Sequence, residues 1–448
     1  MNNLSDKIYG SLLEKVVLPL GDLFLNQKII KRLKFLRESQ YWKKEKLDEE
    51  RNKLLRNLII TSYNEIPFYK ELFNKAKLDP DSIKSIDDLY KIPIVTKDML
   101  RKGYPHQTTR ETGYRTHENV TSGSTGKNFV VLEDSLTEGR NRAAFILMLE
   151  WAGWKIGERH FQTGMTLQRG FLKKMKDIFF RCEYASAFDL RNEVVDKYLS
   201  VIEKKKIKHI WGYPGSIYYI AKRAYERGLS FGLRSVVTWG DTLEPKARKL
   251  IEEMFGKTVN DAYGCAEGIQ VACQCSEYGK YHIFSLDTII EIVDDKGEPL
   301  PRGEMGNILL TRLHPGAMPF IRYKVGDRGI LGKEDCECGR TFEILEGLRG
   351  REVDEIITPS NNKLIVHFFT GILEHFKEID EFQVVQKSLN YLIIKVVPRG
   401  ELNKETEEKI VKAIKEKGAE DMDIKIEKVS QIPLTPAGKR KFIIKDFN

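Results

Sequence analysis

The sequence predicts an α/β protein: a large N-terminal domain with mixed and parallel sheets, followed by a small α+β domain at the C-terminus. Three observations support this prediction. Strand and helix patterns alternate from about residue 190 to 263, β-rich segments follow over 282–330, and a separate α+β pattern follows Gly350. Alternation of strands with helices predicts parallel strands joined by right-handed crossovers.

Hydrophobic periodicity predicts the individual helices and strands. The larger domain is expected over residues 1–349, with a mostly helical region over 1–95, and the small mobile domain over 350–448. In chain order, the pattern predicts a helix over 139–151, a helical stripe over 194–202, a strand over 207–211, a helix from 216 that ends before Gly228, a strand over 233–239, a helix over 245–255, strands over 258–263, 288–293 and 307–311, strands over 382–386 and 391–397, a helix over 404–416 and a strand over 423–428.

Composition places the chain among globular proteins. Its 448 residues are 41% hydrophobic and 31% charged, and the net charge is +9. No apolar run approaches the ~20 residues that span a bilayer, so we expect a cytoplasmic protein without a transmembrane segment. The basic stretch 28–46 has no accompanying nucleic-acid motif, and no nucleic-acid partner is expected. A solvated helix face is the commoner interpretation of this stretch, and contact with anionic lipid is the alternative.

A loop rich in hydroxyls and glycines is the strongest local signal. Glycines let backbone N–H groups converge on one point, hydroxyls add donors, and a lysine adds positive charge, which together suit a polyphosphate. The Walker spacing is absent, and a flexible linker is the alternative interpretation. The loop consists of Thr121, Ser122, Gly123, Ser124, Thr125, Gly126 and Lys127.

Two further candidate binding loops follow predicted strands. They are Gly240-Asp241 and the segment from Tyr263 and Gly264 to Glu267. Ligands of parallel sheets collect at the carboxyl ends of the strands, so both positions are candidates on sequence order alone.

Five motifs occur in one order along the chain, and the set resembles the adenylate-forming enzyme superfamily. The resemblance is to the branch of phenylacetate–CoA ligases and their relatives near capsular polysaccharide genes, and it covers essentially the whole chain. The motifs are the loop at 121–127, Tyr263-Gly264-x-x-Glu267, Tyr323-Lys324-Val325-Gly326-Asp327, Gly350-Arg351, and Pro433-Leu434-Thr435-Pro436-Ala437-Gly438-Lys439.

The resemblance implies an acyl-adenylate synthetase fold and a two-step reaction. A carboxylic acid would be activated with ATP and Mg²⁺ as an acyl-adenylate, and an acceptor thiol, that of coenzyme A above all, would then take the acyl group. An amine or a sugar hydroxyl in polysaccharide or natural-product assembly is the alternative acceptor. A nucleotide-binding scaffold without catalysis is a third interpretation. The oligomeric state is left open, and a homodimer is one option.

The resemblance also implies residue roles. Ser122, Ser124, Thr125 and Lys127 would hold the β- and γ-phosphates, Glu267 would hold Mg²⁺, Tyr263 would lie against adenine, Asp327 would accept both ribose hydroxyls with support from Arg351, and Lys439 would reach the carboxylate and the α-phosphate. The catalytic set is thus Lys439, Glu267 and Lys127. Two departures from the family pattern stand out: Val353 replaces the first hinge aspartate, and Ala266 replaces a threonine before Glu267.

The cysteines suggest a metal site. Cys273 and Cys275 form one close pair, Cys336 and Cys338 another, and His282 lies between them in sequence. Thiolates with one imidazole suit tetrahedral Zn²⁺, whereas reduced, unligated thiols are the alternative. The resemblance implies the ligand set Cys275, His282, Cys336 and Cys338, with Cys273 in reserve. Four protein ligands would leave no open position, so the zinc would be structural.

Overall fold

The computed structural model of the chain describes residues 4–121, 129–165, 169–187, 189–241, 243, 245–265, 267–349, 355–373, 375–432 and 443–447. Helices in these ranges are α1 (Leu4–Leu12), α2 (Leu18–Leu25), α3 (Ile29–Ser39), α4 (Lys44–Glu65), α5 (Pro67–Lys75), α6 (Lys97–Gly103), α7 (Ser135–Trp151), α8 (Phe171–Phe179), α9 (Asn192–Lys204), α10 (Pro214–Glu226), α11 (Pro245–Phe255), α12 (Val366–Leu373) and α13 (Lys404–Ile414). A π-helical turn, Leu13–Val17, joins α1 to α2.

The strands are β1 (Thr116–Thr121), β2 (Phe129–Asp134), β3 (His160–Gly164), β4 (Cys182–Ser186), β5 (His209–Gly212), β6 (Ser235–Trp239), β7 (Val259–Cys265), β8 (Ile269–Gln274), β9 (Tyr281–Ile283), β10 (Thr288–Val293), β11 (Gly306–Arg312), β12 (Tyr323–Leu331), β13 (Ile344–Arg349), β14 (Glu355–Ile357), β15 (Lys363–Ile365), β16 (Ile379–Ser388), β17 (Tyr391–Pro398), β18 (Asp423–Lys428) and β19 (Ile443–Lys445). The predicted class, mixed and parallel α/β sheets with a smaller α+β region, is confirmed.

The chain divides into two compact units. The first comprises Met1–Asn119, Val130–Glu158 and Asn260–Arg351, and the second comprises Val120–Phe129, Arg159–Val259 and Glu352–Asn448. In the first unit the strands run in the order β10-β11-β12-β13-β9-β8-β7, and the neighbours pair antiparallel. Strands β1 and β2 form a separate two-stranded sheet.

The second unit carries the alternating pattern. Its strands run in the order β6-β5-β3-β4 and pair in parallel, as the sequence predicts for strands that alternate with helices. Apolar residues of α9, α10 and α11, among them Leu199, Ile220 and Phe255, are fully buried and form its core.

The C-terminal α+β region has its own core within the second unit. Strands β18-β17-β16-β19 form a four-stranded mixed sheet, and α13 buries Ile410 and Ile414 in the core beside it. Met165, which follows β3, also packs against this core. The proposed domain boundary near residue 350 lies outside the described residues and stays a prediction.

Helix α3 packs on α7 at a position that only glycine fits. Helix α3 buries Ile29, Leu33 and Leu36, and a Cβ atom placed on Gly139 of α7 would overlap the carbonyl oxygen of Gln27 just before α3. The missing side chain therefore sets how closely the N-terminal helices approach the rest of the first unit.

We expect Gly139→Ala to lower the free energy of unfolding by about 1–3 kcal/mol, because the added methyl overpacks this contact. Gly21→Ala in α2 is the matched control, since a Cβ there would meet no atom within 4 Å; it should be neutral or stabilising by roughly 0.5–1 kcal/mol. Urea titration of both variants measures the difference. Equal stabilities would show that α3 and α7 do not approach this closely.

Candidate functional site

Glu267 lies in the turn between β7 and β8, and its carboxylate is buried. Lys97, the first residue of α6, places Nζ 3.0 Å from Glu267 Oε1, and the Tyr323 hydroxyl of β12 donates to the same oxygen at 2.6 Å. The Thr96 side chain caps α6 by accepting from the Met99 N–H, which fixes where Lys97 begins the helix. These contacts join three segments that are far apart in sequence.

The charge of Glu267 is set by these partners. Burial raises the pKa of a carboxyl group, but the Lys97 ammonium and the Tyr323 hydroxyl outweigh burial and hold the pKa of Glu267 below its usual value. Glu267 is therefore a carboxylate at neutral pH, which is the form that binds a hard cation. Lys97 and Tyr323 were not among the predicted site residues.

Asp327 and Tyr263 form a second polar pair in the same unit. The Tyr263 hydroxyl of β7 donates to Asp327 Oδ2 of β12 at 2.9 Å. Burial, followed by the charge of Asp327, raises the pKa of Tyr263 well above its usual value, so the phenol remains a donor. The pair brings together the residue predicted for the adenine face and the residue predicted for the ribose. Gly264 adjoins Tyr263 on β7, where the pairing register with β8 shifts.

A buried carboxylate connects the hairpin of the Ser/Gly loop to the turn that carries Glu267. Glu133 of β2 accepts from Asn119 of β1 at 2.6 Å and from Asn141 of α7 at 2.9 Å. Asn141 also donates to the Gly268 carbonyl, and Gly268 has a left-handed φ of 75°. A Cβ atom at Gly268 would lie 3.2 Å from Glu133 Oε2. Glu133, which the sequence did not single out, thus fixes β1, β2 and the 267–268 turn together.

Much of the predicted phosphate loop lies outside the described residues. Thr121 ends β1 and Phe129 begins β2, so the loop joins the two strands of this sheet. The predicted residues outside the described ranges are Ser122, Gly123, Ser124, Thr125, Gly126, Lys127, Arg351 and Lys439.

In the second unit, Gly240 and Asp241 follow the carboxyl end of β6, as predicted. Gly240 has φ 81°, and a Cβ atom there would lie 2.8 Å from the Tyr213 ring. Only glycine fits this turn. Trp211 is buried and stacks on His160 with 4.1 Å between the ring centroids, so this tryptophan belongs to the core of the unit.

Three cysteines and one histidine converge in the first unit. One donor atom from each of Cys275, His282, Cys336 and Cys338 lies within 4.8 Å of the others. Cys275 Sγ is 3.8 Å from Cys336 Sγ, and Cys338 Sγ is 3.3 Å from His282 Nε2. Cys273 is outside this group, and its thiol donates to the Gln274 carbonyl.

The pKa values of two of the three thiols are shifted toward the thiolate form, whereas burial raises the pKa of Cys336 to about 12. Burial raises the pKa of Cys275, but hydrogen bonds from His282 and the Tyr278 N–H outweigh it and lower that pKa to about 7. Burial likewise opposes ionisation of Cys338, and contacts with Arg340 bring its pKa below the usual value. Soft sulfur donors with one imidazole, arranged within a few ångströms, match the ligands that Zn²⁺ prefers.

A family model for AMP-binding enzymes matches residues 184–318, and a model for the CapK C-terminal domain matches residues 356–446. A phenylacetate–coenzyme A ligase of Thermus thermophilus is 27% identical over 358 residues, covering 76% of this chain and 78% of that protein. Protein CapK of Staphylococcus aureus is 25% identical over 390 residues, covering 84% of each.

A solved structure shows the same fold. The 2-hydroxyisobutyryl-CoA ligase, in complex with 2-HIB-AMP and CoA, superposes with a TM-score of 0.63 at 18% identity, over 91% of this chain and 93% of that one. These matches support the adenylate-forming superfamily as the class of this chain. Within that class the chain is similar to the branch of phenylacetate–CoA ligases and CapK, and the resemblance stated from the sequence is confirmed.

We expect Lys97→Met to destabilise the protein by about 3–5 kcal/mol at neutral pH, because it leaves the buried Glu267 carboxylate without its cation. Wild-type stability from this pair is present above the usual glutamate pKa and is lost as pH falls through the lowered pKa of folded Glu267. In the variant, burial dominates and the carboxyl takes up a proton, so the difference from wild type should shrink in acid. Urea titrations of wild type and variant, at neutral pH and in acid, measure this difference in the free energy of unfolding.

Two variants control this experiment. Lys97→Met/Glu267→Gln should recover much of the loss, since no buried charge remains. Lys75→Met breaks the exposed pair with Glu71 and should change stability by less than about 1 kcal/mol. A Lys97→Met penalty that is small, or that does not depend on pH, would contradict a charged Glu267 at this site.

Proposed function

We propose that this enzyme activates a carboxylic acid with ATP and transfers the acyl group to the thiol of coenzyme A. A carboxylate oxygen of the acid attacks the α-phosphorus and pyrophosphate leaves, which gives the acyl-adenylate. The sulfur of coenzyme A then attacks the acyl carbonyl, the thiol proton is released, and AMP leaves. The observation that carries the proposal is the buried, charged Glu267, fixed through Gly268 and Glu133 to the hairpin that bears the Ser/Gly/Lys loop.

Glu267 is proposed to hold Mg²⁺ beside the phosphates. Lys97 and Tyr323 both contact Oε1, and the carboxylate also accepts from the Cys265 thiol and from the Glu267 N–H. Mg²⁺ prefers oxygen ligands and offsets charge that grows on the pyrophosphate. Lys97, 3.0 Å from Oε1, is proposed to turn from Glu267 toward a phosphate once the cation replaces it as a counter-charge.

The nucleoside is proposed to bind against Tyr263 and Asp327. The Tyr263–Asp327 hydrogen bond orients the carboxylate, whose oxygens accept from the ribose hydroxyls with Arg351 in support. Ser122, Ser124, Thr125 and Lys127 are assigned to the β- and γ-phosphates. Gly240 and Asp241 stay candidates for a cofactor-binding loop, where the glycine keeps the backbone close to Tyr213.

Lys439 is proposed to contact the reacting carboxylate and the α-phosphate from a small domain that begins near residue 350. The match of the CapK C-terminal domain to residues 356–446 supports a distinct module at this position. A positive charge there stabilises the negative charge that develops on the phosphorus oxygens in the transition state.

We expect Lys439→Ala to lower the rate of ATP–pyrophosphate exchange by about 10²–10³-fold, by analogy with loss of one preorganised donor to a developing anion. Exchange is measured over a panel of aryl and aliphatic acids, because the acid is not assigned. Lys441→Ala is the matched control, since this lysine is two residues away and should leave the rate near that of wild type. Exchange that is absent with every acid, or equal losses in the two variants, would contradict this assignment.

The acceptor distinguishes the main proposal from its alternative, transfer to an amine or a sugar hydroxyl. Two observations favour keeping the alternative: the CapK C-terminal domain match, and Val353 in place of the first hinge aspartate. The acid that supports exchange is incubated with ATP and coenzyme A, and a thioester is sought by mass spectrometry. Formation of the thioester at the exchange rate supports coenzyme A; exchange without thioester, together with product on an amine or sugar, supports the alternative. A cytoplasmic location fits an enzyme that uses ATP and coenzyme A.

Cys275, His282, Cys336 and Cys338 are proposed to hold a structural Zn²⁺. The convergence of the four donors and the lowered pKa of Cys275 support the assignment. The ion would tie β9 to the loop at 336–338 and take no part in the reaction, because four protein ligands fill a tetrahedral site.

We expect purified protein to contain stoichiometric zinc and to unfold at a lower temperature after chelation, because metal binding contributes to folding. Cys338→Ser should lose most of the zinc, whereas Cys182→Ser, a cysteine outside the group, should keep it. Elemental analysis and thermal unfolding measure both effects. Absence of zinc together with chelator-independent unfolding would show that the group consists of reduced thiols. Zinc loss in Cys273→Ser but not in Cys275→Ser would assign the reserve cysteine.

A further inference from the structure

The N-terminal segment from α1 to α2 presents apolar side chains to the outside. Five of them recur at a spacing of four residues, and two more flank the last. We call these seven residues the apolar row: Ile8 is 63% exposed, Leu12 50%, Val16 45%, Leu20 53%, Leu23 77%, Phe24 86% and Leu25 46%. A surface helix normally turns such residues inward, so a row with this exposure indicates a binding surface.

The opposite side of the segment is fixed to the first unit. Leu13 is buried, and Gly10 lies so close to Ile156 that a Cβ atom would overlap the Ile156 carbonyl oxygen. Two acidic side chains of the segment have partners in α3: Glu14 pairs with Arg37, and Asp22 accepts from the Ile30 N–H at 3.0 Å. These contacts hold the segment so that the apolar row remains outside.

Positive charge lies next to the row. The chain reverses after α2, where Asn26 and Lys28 have left-handed φ angles of 51° and 56°. Because Asp22 binds the Ile30 N–H, the start of α3 lies beside the end of α2 that carries Leu23 and Phe24. Lys15 is exposed on the segment that carries the apolar row. Lys28, Lys31 and Lys34 are exposed at the start of α3.

We propose that the apolar row docks on an anionic membrane surface, with the adjacent lysines against the lipid headgroups. Amphipathic helices bind in this way when an apolar face is bordered by cations, and they lie in the interface. Within the described residues, the helices are too short or too polar to cross a bilayer. A two-fold pairing of copies through this row would bring the same lysines together, so charge favours an anionic lipid surface over a second copy.

The test is sedimentation of the full chain with two kinds of vesicle, phosphatidylcholine alone and phosphatidylcholine mixed with phosphatidylglycerol. Wild type should bind the mixed vesicles more tightly, and high salt should weaken this binding. Leu23→Ser/Phe24→Ser should reduce the vesicle-bound fraction about tenfold or more, because burial of two large apolar side chains is lost. Lys31→Gln/Lys34→Gln should reduce it about tenfold on the mixed vesicles and little on phosphatidylcholine.

Matched controls distinguish docking through the apolar row from nonspecific adsorption to vesicles. Tyr225→Ser/Leu389→Ser removes two exposed apolar residues elsewhere and should not change binding, and Lys404→Gln/Lys425→Gln removes two other exposed lysines and should have a far smaller effect than the row variant. All variants should keep the same unfolding temperature. Wild type that binds neither vesicle overturns the proposal. A dimer in sedimentation velocity that Leu23→Ser/Phe24→Ser converts to monomer, without vesicle binding, would assign the row to a second copy instead.

Discussion

The buried carboxylate of Glu267 is the constraint on which the candidate site depends. A charged group that is removed from water costs several kcal/mol unless it is paired and hydrogen-bonded. Here the partners come from α6 and β12, and the turn itself follows β7. The chain must therefore bring three distant segments to one point before this carboxylate can be accommodated. An environment that holds an anion in place before a cation arrives is suited to metal binding, since little reorganisation is needed.

The same unit contains two further carboxylates with defined partners. Asp327 accepts from Tyr263, and Glu133 accepts from Asn119 and Asn141. Burial raises the pKa of Glu133 and outweighs the opposing effect of Arg312. The pKa of Glu267, in contrast, is lowered. We infer a division of roles in which Glu133 fixes the backbone, while Glu267 and Asp327 face ligands.

Sequence patterns predicted regular elements well where periodicity was strong. The helix expected over 245–255 is Pro245–Phe255, and the strand expected over 288–293 is Thr288–Val293. The expected helix over 404–416 ends as an α-helix at Ile414, where a π-helical turn takes over. Strands β3 and β4 were not predicted, because their short and mixed patterns lack a clear period.

Site prediction depended on the kind of information each residue carries. Glu267, Asp327 and the four residues of the Cys/His group stand in motifs, so a resemblance could suggest them. Lys97 stands in the segment Ile92-Pro93-Ile94-Val95-Thr96-Lys97, yet its pairing with Glu267 spans 170 positions, and no local spacing encodes such a contact. Glu133 carries no motif at all. Its role follows only from the hydrogen bonds that the fold creates.

The most direct measurement is an experimental structure of the enzyme with ATP and Mg²⁺ bound. We expect a Glu267 oxygen about 2.0–2.1 Å from the metal, Lys97 turned from Glu267 toward a phosphate, and Asp327 on the ribose hydroxyls. A nucleotide bound with its metal held by phosphates and water alone, the Lys97–Glu267 pair intact and Asp327 away from the ribose, would contradict it.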